Sequence, residues 1–328
     1  MHPSSDTPTA NPIHGLAVSR SASSLYREPF TTRVVHVATV AIGGPEPVLI
    51  AGPCTVESRD QTLRIADAVA AAGAHILRGG AFKPRTSPHA FQGLGEAGLD
   101  ILCEARDRTG LPIVTEVLDP GLVPLVAARA DMLQIGSRSM QNTPLLRAAG
   151  ATGLPILLKR GFGNSVYEWL LAAEHVAATG NQNIVLCERG IRTFADGPHA
   201  RSTLDLAAVR AARRLTPLPV IVDPSHAAGR HDLVPTLALA GLAAGAQGTI
   251  IEVVADAASR ASARCDGAQG VLPETLAHLA RHASALSAFW NDQERARVRA
   301  EGRSPISAAP PTHADASRPA RSCAPTTS

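Results

Sequence analysis

The chain has 328 residues, 45 % of them hydrophobic and 18 % charged, which supports a sizeable core and excludes a chain disordered throughout. Aromatic residues make up only 3 %, too few for base-stacking surfaces or a membrane aromatic belt. The formal charge of +3 sits at the ends: residues 1–33 carry three arginines and two acids, residues 291–328 carry six and four, and the body between them is neutral. A neutral body argues against binding to a nucleic-acid backbone, so any anion site has to be local.

Residues 1–33 are rich in Ser, Thr, Pro and Ala, have no apolar periodicity up to residue 28, and are expected to be a disordered extension. They lack the basic-then-apolar order of a secretory leader. The stretch RVVHVATVAIGGPEPVLI (33–50) follows, and its two β-rich runs around GGPEP read as a hairpin. Eight short runs rich in Val, Ile and Leu then recur: VLIAGP (48–53), HILRGG (75–80), PIVTEV (112–117), MLQIGS (132–137), PILLKR (155–160), NIVLCER (183–189), PVIVDP (219–224) and GTIIEVV (248–254). Between them lie Ala/Leu stretches of helical period, such as QTLRIADAVAAAG (61–73), that end in Gly as helices often do.

Strands apolar on both faces and alternating with helices imply a parallel sheet covered by helices. Eight such units predict a (β/α)8 TIM barrel over 34–290, with the hairpin plugging its N-terminal end. An open doubly wound sheet competes, but no GxGxxG follows the first strand. Residues 291–328 end in RSPISAAPPTHADASRPARSCAPTTS and are expected to be a disordered tail. No apolar run approaches the roughly 18 residues of a membrane span. Five dispersed cysteines without a CxxC suggest neither a disulfide framework nor a zinc knuckle, and point to the cytoplasm.

In such a barrel the chemistry lies where strands end, and the unusual polar residues of this chain cluster there. Arg78, Lys83, Arg85, Arg138, Lys159 and Arg189 come from four different strand ends, a cationic set suited to a substrate with several negative charges. Taken singly, each arginine reads as a solvated loop residue. The lysines resist that reading. The chain has only two against 29 arginines, and both fall at strand ends, where an ammonium differs in kind from a guanidinium. Cys54, His226, Glu252 and Asp266 form a second set, a thiol, an imidazole and two carboxylates suited to Mn, Fe, Co or Zn. Alone, Cys54 reads as a packed thiol, Glu252 as an arginine's partner and His226 as part of a helix cap. Cys103 and Cys187 read as core, and Glu57 as an early-helix carboxylate. GxxxxGK[ST] and HExxH are absent.

The segments AGPCTVES (51–58), LRGGAFKPRTSPHAFQGLG (77–95), LQIGSRSMQN (133–142), LLKRGF (157–162), LCERGIRTF (186–194), VDPSHAAGR (222–230) and DGAQ (266–269) resemble 3-deoxy-D-arabino-heptulosonate 7-phosphate (DAHP) synthase. The branch is the one related to 3-deoxy-D-manno-octulosonate 8-phosphate synthase. The resemblance runs over about 34–285. It implies condensation of phosphoenolpyruvate with erythrose 4-phosphate, releasing phosphate, as the first step of the shikimate pathway. It further implies Cys54, His226, Glu252 and Asp266 as ligands of a divalent metal ion. Arg78, Lys83, Glu116, Gly136, Ser137, Arg138, Lys159 and Arg189 would surround phosphoenolpyruvate, and Arg85 and Thr86 would contact the aldose phosphate.

Lys83 is the expected proton donor, and Glu116 or a metal-bound hydroxide the base. The KPRT segment (83–86) favours a four-carbon aldose, since octulosonate synthases carry a KANRSS-like segment there. The chain departs from the family after Glu252, where Val253-Val254-Ala255 replaces Val-His-Pro, and Asp266 follows Glu252 by fourteen positions, a longer spacing than usual. His89 and Gly163 are milder departures. The 33 residues before the barrel are too few for a regulatory module, so a partner recruited by the tails is the remaining route to such control. The family implies a homo-oligomer, commonly a tetramer. The alternatives are condensation with a different aldose phosphate, or an inactive barrel serving as a regulatory partner.

Overall fold

The computed structural model describes Leu25 and residues 32–85, 87–194 and 200–300. Two short antiparallel strands come first, β1 (Val35–Val37) and β2 (Val40–Ile42), with Val35 opposite Ile42 and Val37 opposite Val40. Eight strands follow: β3 (Val48–Gly52), β4 (Ile76–Arg78), β5 (Ile113–Glu116), β6 (Met132–Ile135), β7 (Ile156–Lys159), β8 (Ile184–Glu188), β9 (Val220–Val222) and β10 (Gly248–Glu252). They pair in parallel and in sequence, and β10 closes on β3 to complete a barrel. Each lies within one of the eight apolar runs.

Ten α-helices lie among the described residues. They are α1 (Arg59–Ala71), α2 (Glu96–Thr109), α3 (Val123–Arg129), α4 (Thr143–Ala151), α5 (Val166–Ala177), α6 (Leu206–Leu215), α7 (Pro224–Ala228), α8 (Val234–Ala243), α9 (Ala257–Ser262) and α10 (Pro273–Ala300). Capping side chains start many of them and so end the loops above the strands. Ser58, Asn142 and Asp205 each accept a backbone N–H, and Ser165 with Glu168 forms a capping box. The main apolar core lies between barrel and helices. A second core fills the barrel itself.

The hairpin plugs the barrel, as expected, but its turn is elsewhere. Ala38 and Thr39 make the turn, with Ala38 at φ 50°, while GGPEP carries the chain from β2 into β3. The reason is β3 itself: its backbone is taken by β10 and β4, so it cannot also be a hairpin arm. Alternation in β1 buries Val35 and Val37 and exposes His36. With Ile42 they pack on Ile50, Ile76, Val114, Leu157 and Ile221 in the barrel interior. Ile42→Ala should therefore lower the unfolding free energy by about 2–5 kcal/mol, read from the urea midpoint. A loss below about 1 kcal/mol would mean that the plug adds little to the barrel.

The C-terminal boundary at 290 is also corrected, because α10 runs on to Ala300. Leu276, Leu279 and Ala283 bury its first turns. Further on, Trp290 lies beneath Arg213, 4.1 Å from its ring centroid, and Arg210 pairs with Glu294 at 2.6 Å. Trp290 crosses so close to Gly245, whose φ is +98°, that a Cβ there would lie 2.3 Å from the indole. Within the expected N-terminal extension, Leu25 is buried in the main core and the Arg33 N–H donates to Pro217 O. Residues 1–24, 26–31 and 301–328, where the remaining disorder was expected, lie outside the described residues. Among the described residues no helix is long and apolar enough to cross a membrane.

Candidate active site

The loops following the strands enclose a cavity of about 280 Å³ at the C-terminal mouth of the barrel. Arg78, Lys83, Arg85, Glu116, Gly136, Ser137, Arg138, Lys159, Arg189, His226 and Asp266 line it. These are the expected substrate and catalytic positions apart from Thr86, which lies outside the described residues, and Cys54 and Glu252 just behind the wall. Arg160 and Glu188 also end strands, but they pair with one another at 3.0 Å, and Arg160 reaches Asp205 as well.

One side of the cavity is cationic. Phe162 sits among Arg138, Arg189 and Arg192, whose guanidiniums lie 5.6, 4.8 and 5.3 Å from its ring centroid. Arg189 also donates to the carbonyls of Gly190 and His226. Lys159, on the end of β7, pairs with Asp223 at 2.5 Å. Burial would raise the Asp223 carboxyl, but His226 and Lys159 outweigh it and hold it well below the usual carboxylate range. Glu116 accepts from Gln134 Nε2 at 3.2 Å, and its carboxylate fills the space beside Gly136. A Cβ on Gly136 would lie 1.9 Å from Glu116 Oε1, so glycine is required there for Glu116 to keep its place.

The other side carries the thiols and carboxylates. Cys54 Sγ lies 3.8 Å from Asp266 Oδ2 and 3.4 Å from Cys265 Sγ. The donor atoms of Cys54, Cys265 and Asp266 all fall within 4.8 Å of one another. His226 Nε2 is 3.2 Å from Glu252 Oε1, and its Nδ1 is 2.8 Å from Asp223. Thus the four expected ligands form two close pairs on one rim, Cys54 with Asp266 and His226 with Glu252. The cations Lys83 and Arg78 lie beside these pairs. Lys83 Nζ is 3.0 Å from Cys54 Sγ and 3.9 Å from Asp266, and Arg78 holds Glu252 at 2.8 Å.

The electrostatics suit metal ligation. Burial pushes the His226 imidazole below its ordinary value, against the pull of Asp223 and Glu252, and a neutral imidazole is the form that ligates. Burial would raise Glu252, yet His226, Arg78 and Lys83 keep it ionised. Burial opposes the Lys83 ammonium as well, but Cys54 and Glu252 hold it charged, above the ordinary lysine range. Cys54 donates to Cys265, which with burial raises Cys54 and draws Cys265 down to about 7. A thiol, a neutral imidazole and ionised carboxylates fit a borderline divalent ion.

Some residues of the site were not singled out from sequence. Cys265 gave a signal in its position next to Asp266. Asp223, three residues before His226, caps α7 and orients the imidazole, and its helix-cap spacing was legible. Arg201, which reaches Asp266 and Gln269 at 3.3 Å, gave none, because it is one arginine among 29.

A family model described as the DAHP synthetase I family matches residues 23–289. A phospho-2-dehydro-3-deoxyheptonate aldolase of Thermotoga maritima is 50 % identical over 220 residues, which is 67 % of this chain and 64 % of the relative. The chain thus spans less than two thirds of that relative's length. A 2-dehydro-3-deoxyphosphooctonate aldolase of Syntrophotalea carbinolica is 35 % identical over 71 % of this chain and 88 % of its own. A crystal structure of the DAHP synthase from Thermotoga maritima superposes with a TM-score of 0.76 at 42 % identity, covering 83 % of this chain and 79 % of that one. A truncated form of the same organism's enzyme gives 0.70 at 40 %, covering 83 % and 94 %.

Proposed function

Because the chain belongs to the DAHP synthetase I family, we propose that it is a metal-dependent 3-deoxy-7-phosphoheptulonate synthase. It condenses phosphoenolpyruvate with D-erythrose 4-phosphate and releases phosphate, the first step of the shikimate pathway. The observation that carries this reading is one cavity lined by Arg78, Arg85, Arg138, Arg189 and both lysines, with the donor group of Cys54, Cys265 and Asp266 at its edge.

Phosphoenolpyruvate brings a phosphate and a carboxylate, and guanidinium forks match both. Arg78, Arg138, Lys159 and Arg189 hold these groups, with the backbone of Gly136 and Ser137 beside them. Arg85, with Thr86, takes the phosphate end of the aldose. Fixing both substrates in one small cavity supplies the orientation that a two-substrate condensation needs. A divalent ion held by Cys54, His226, Glu252 and Asp266 would polarise the aldehyde carbonyl. The enol C3 then bonds to the aldehyde carbon, and Lys83 gives its proton to the resulting alkoxide. Water adds at C2 and loses a proton to Glu116, and the C2–O bond breaks with departure of phosphate.

The catalytic unit is the hairpin and barrel from residue 34 to the end of α10 at Ala300. Family membership supports a homo-oligomer, a tetramer, and the four free cysteines among the described residues suit the cytoplasm. The test is phosphate release from phosphoenolpyruvate with Mn²⁺ and either a four- or a five-carbon aldose phosphate. Release is expected with erythrose 4-phosphate, abolished by a chelator and restored by the ion. Preference for the five-carbon substrate would overturn the specificity, and release with neither would overturn the enzymatic reading.

A further inference from the structure

We infer that Cys265 is a second thiolate ligand of the divalent ion, brought to the site by the segment between Glu252 and Asp266, and that it turns the metal preference from manganese towards zinc and cobalt. This rests on the reading of Cys54 and Asp266 as metal ligands given above.

The geometry of the three donors is the first argument. Cys54 Sγ to Cys265 Sγ is 3.4 Å, Cys54 Sγ to Asp266 Oδ2 is 3.8 Å, and Cys265 Sγ to Asp266 Oδ2 is 3.6 Å. On one tetrahedral ion with the usual metal–sulfur and metal–oxygen lengths, two thiolates lie roughly 3.8 Å apart and a thiolate and a carboxylate oxygen about 3.5 Å. The triangle is therefore of the size that lets all three donors reach one ion.

The second argument is that the segment bearing Cys265 is held in place. Asp256 caps α9, accepting from Ser259 N at 2.8 Å, and Arg260 Nε donates to Gly270 O at 2.8 Å. Arg264 N donates to Glu57 Oε1 at 2.9 Å, and its guanidinium lies 3.7 Å from the centroid of Phe91. Glu57 thereby anchors the segment. Asp266 sits at φ 38°, an uncommon conformation for a residue other than glycine. These contacts hold Cys265 beside Cys54 and Asp266, with Arg85 next to its sulfur. Two thiolates make the donor set softer, and soft donors favour zinc and cobalt over manganese.

The experiment strips the full-length protein with a chelator and titrates it anaerobically, under reductant, with Co²⁺ alone. Thiolate-to-cobalt charge-transfer absorbance in the near ultraviolet is expected in the parent protein. It should fall by about half in Cys265→Ser and again in Cys54→Ser, and vanish in the double variant. Competition of Zn²⁺ against Mn²⁺ should weaken at least ~10-fold in Cys265→Ser, a size typical of a lost metal-site interaction. Circular dichroism melts, with Cys265→Ala as a second variant, separate this from misfolding. A Cys265→Ser spectrum identical to the parent's, with all absorbance lost in Cys54→Ser, would overturn the inference and leave the proposed function intact. No thiolate absorbance in the parent protein would overturn both.

Discussion

Lys83→Arg is expected to lower kcat by about 10²–10⁴-fold, the usual worth of a positioned general acid. The variant keeps the positive charge beside Cys54 and Asp266 but substitutes a guanidinium that does not release its proton at any working pH. The site also fits an ammonium. Lys83 is 7 % exposed, with Nζ 3.0 Å from Cys54 Sγ, so a planar fork has little room to turn. Steady-state phosphate release checks this, with KM for phosphoenolpyruvate as the internal control. Turnover within about threefold of the parent would refute the proton-donor role, because charge alone would then suffice.

Lys159→Met should destabilise the fold by about 3–5 kcal/mol, the cost of leaving a buried charge without its partner. Lys159 and Asp223 are 4 % and 1 % exposed and 2.5 Å apart, far from the screened surface pairs that contribute little. Asp223 keeps only His226 as a side-chain partner at hydrogen-bond distance in the variant. Urea unfolding of Lys159→Met, Asp223→Asn and the double variant measures this as a cycle. Recovery of much of the loss in the double variant is expected, since Asn carries no charge to strand. Additive losses would show that the two side chains do not act as a pair. Binding of phosphoenolpyruvate should weaken in both variants that lack Lys159, whatever their stability.

These two lysines were legible before any tertiary information, because the chain spends lysine nowhere else. The barrel was legible for a related reason. A strand buried on both faces has to be apolar throughout, and all eight such runs became strands that close on one another. The hairpin was visible as β-rich residues, but its turn was misplaced, because local composition made GGPEP the stronger turn signal. Only pairing with β4 and β10 commits β3 to the barrel. The end of α10 was set too early for a similar reason. Its last turns are held by Arg210 and Arg213 around Trp290, contacts between residues some eighty positions apart.

For the site, strand-end position settled which side chains could meet, since the barrel gathers every strand end at one mouth. It did not settle which of them do. That Arg78 takes Glu252, that Lys159 takes Asp223 and that Arg160 turns to Glu188 depend on side-chain direction and burial. Cys265 is the clearest case. In sequence it is one of five dispersed cysteines, 211 positions from Cys54, and only the folded segment after β10 brings the two sulfurs to 3.4 Å. The alternation of strands and helices, and with it the positions of the strand ends, could be read from the chain alone, because both follow from local periodicity. The fold set the side-chain partners and the position of the turn, because those are contacts between distant segments that no local pattern encodes.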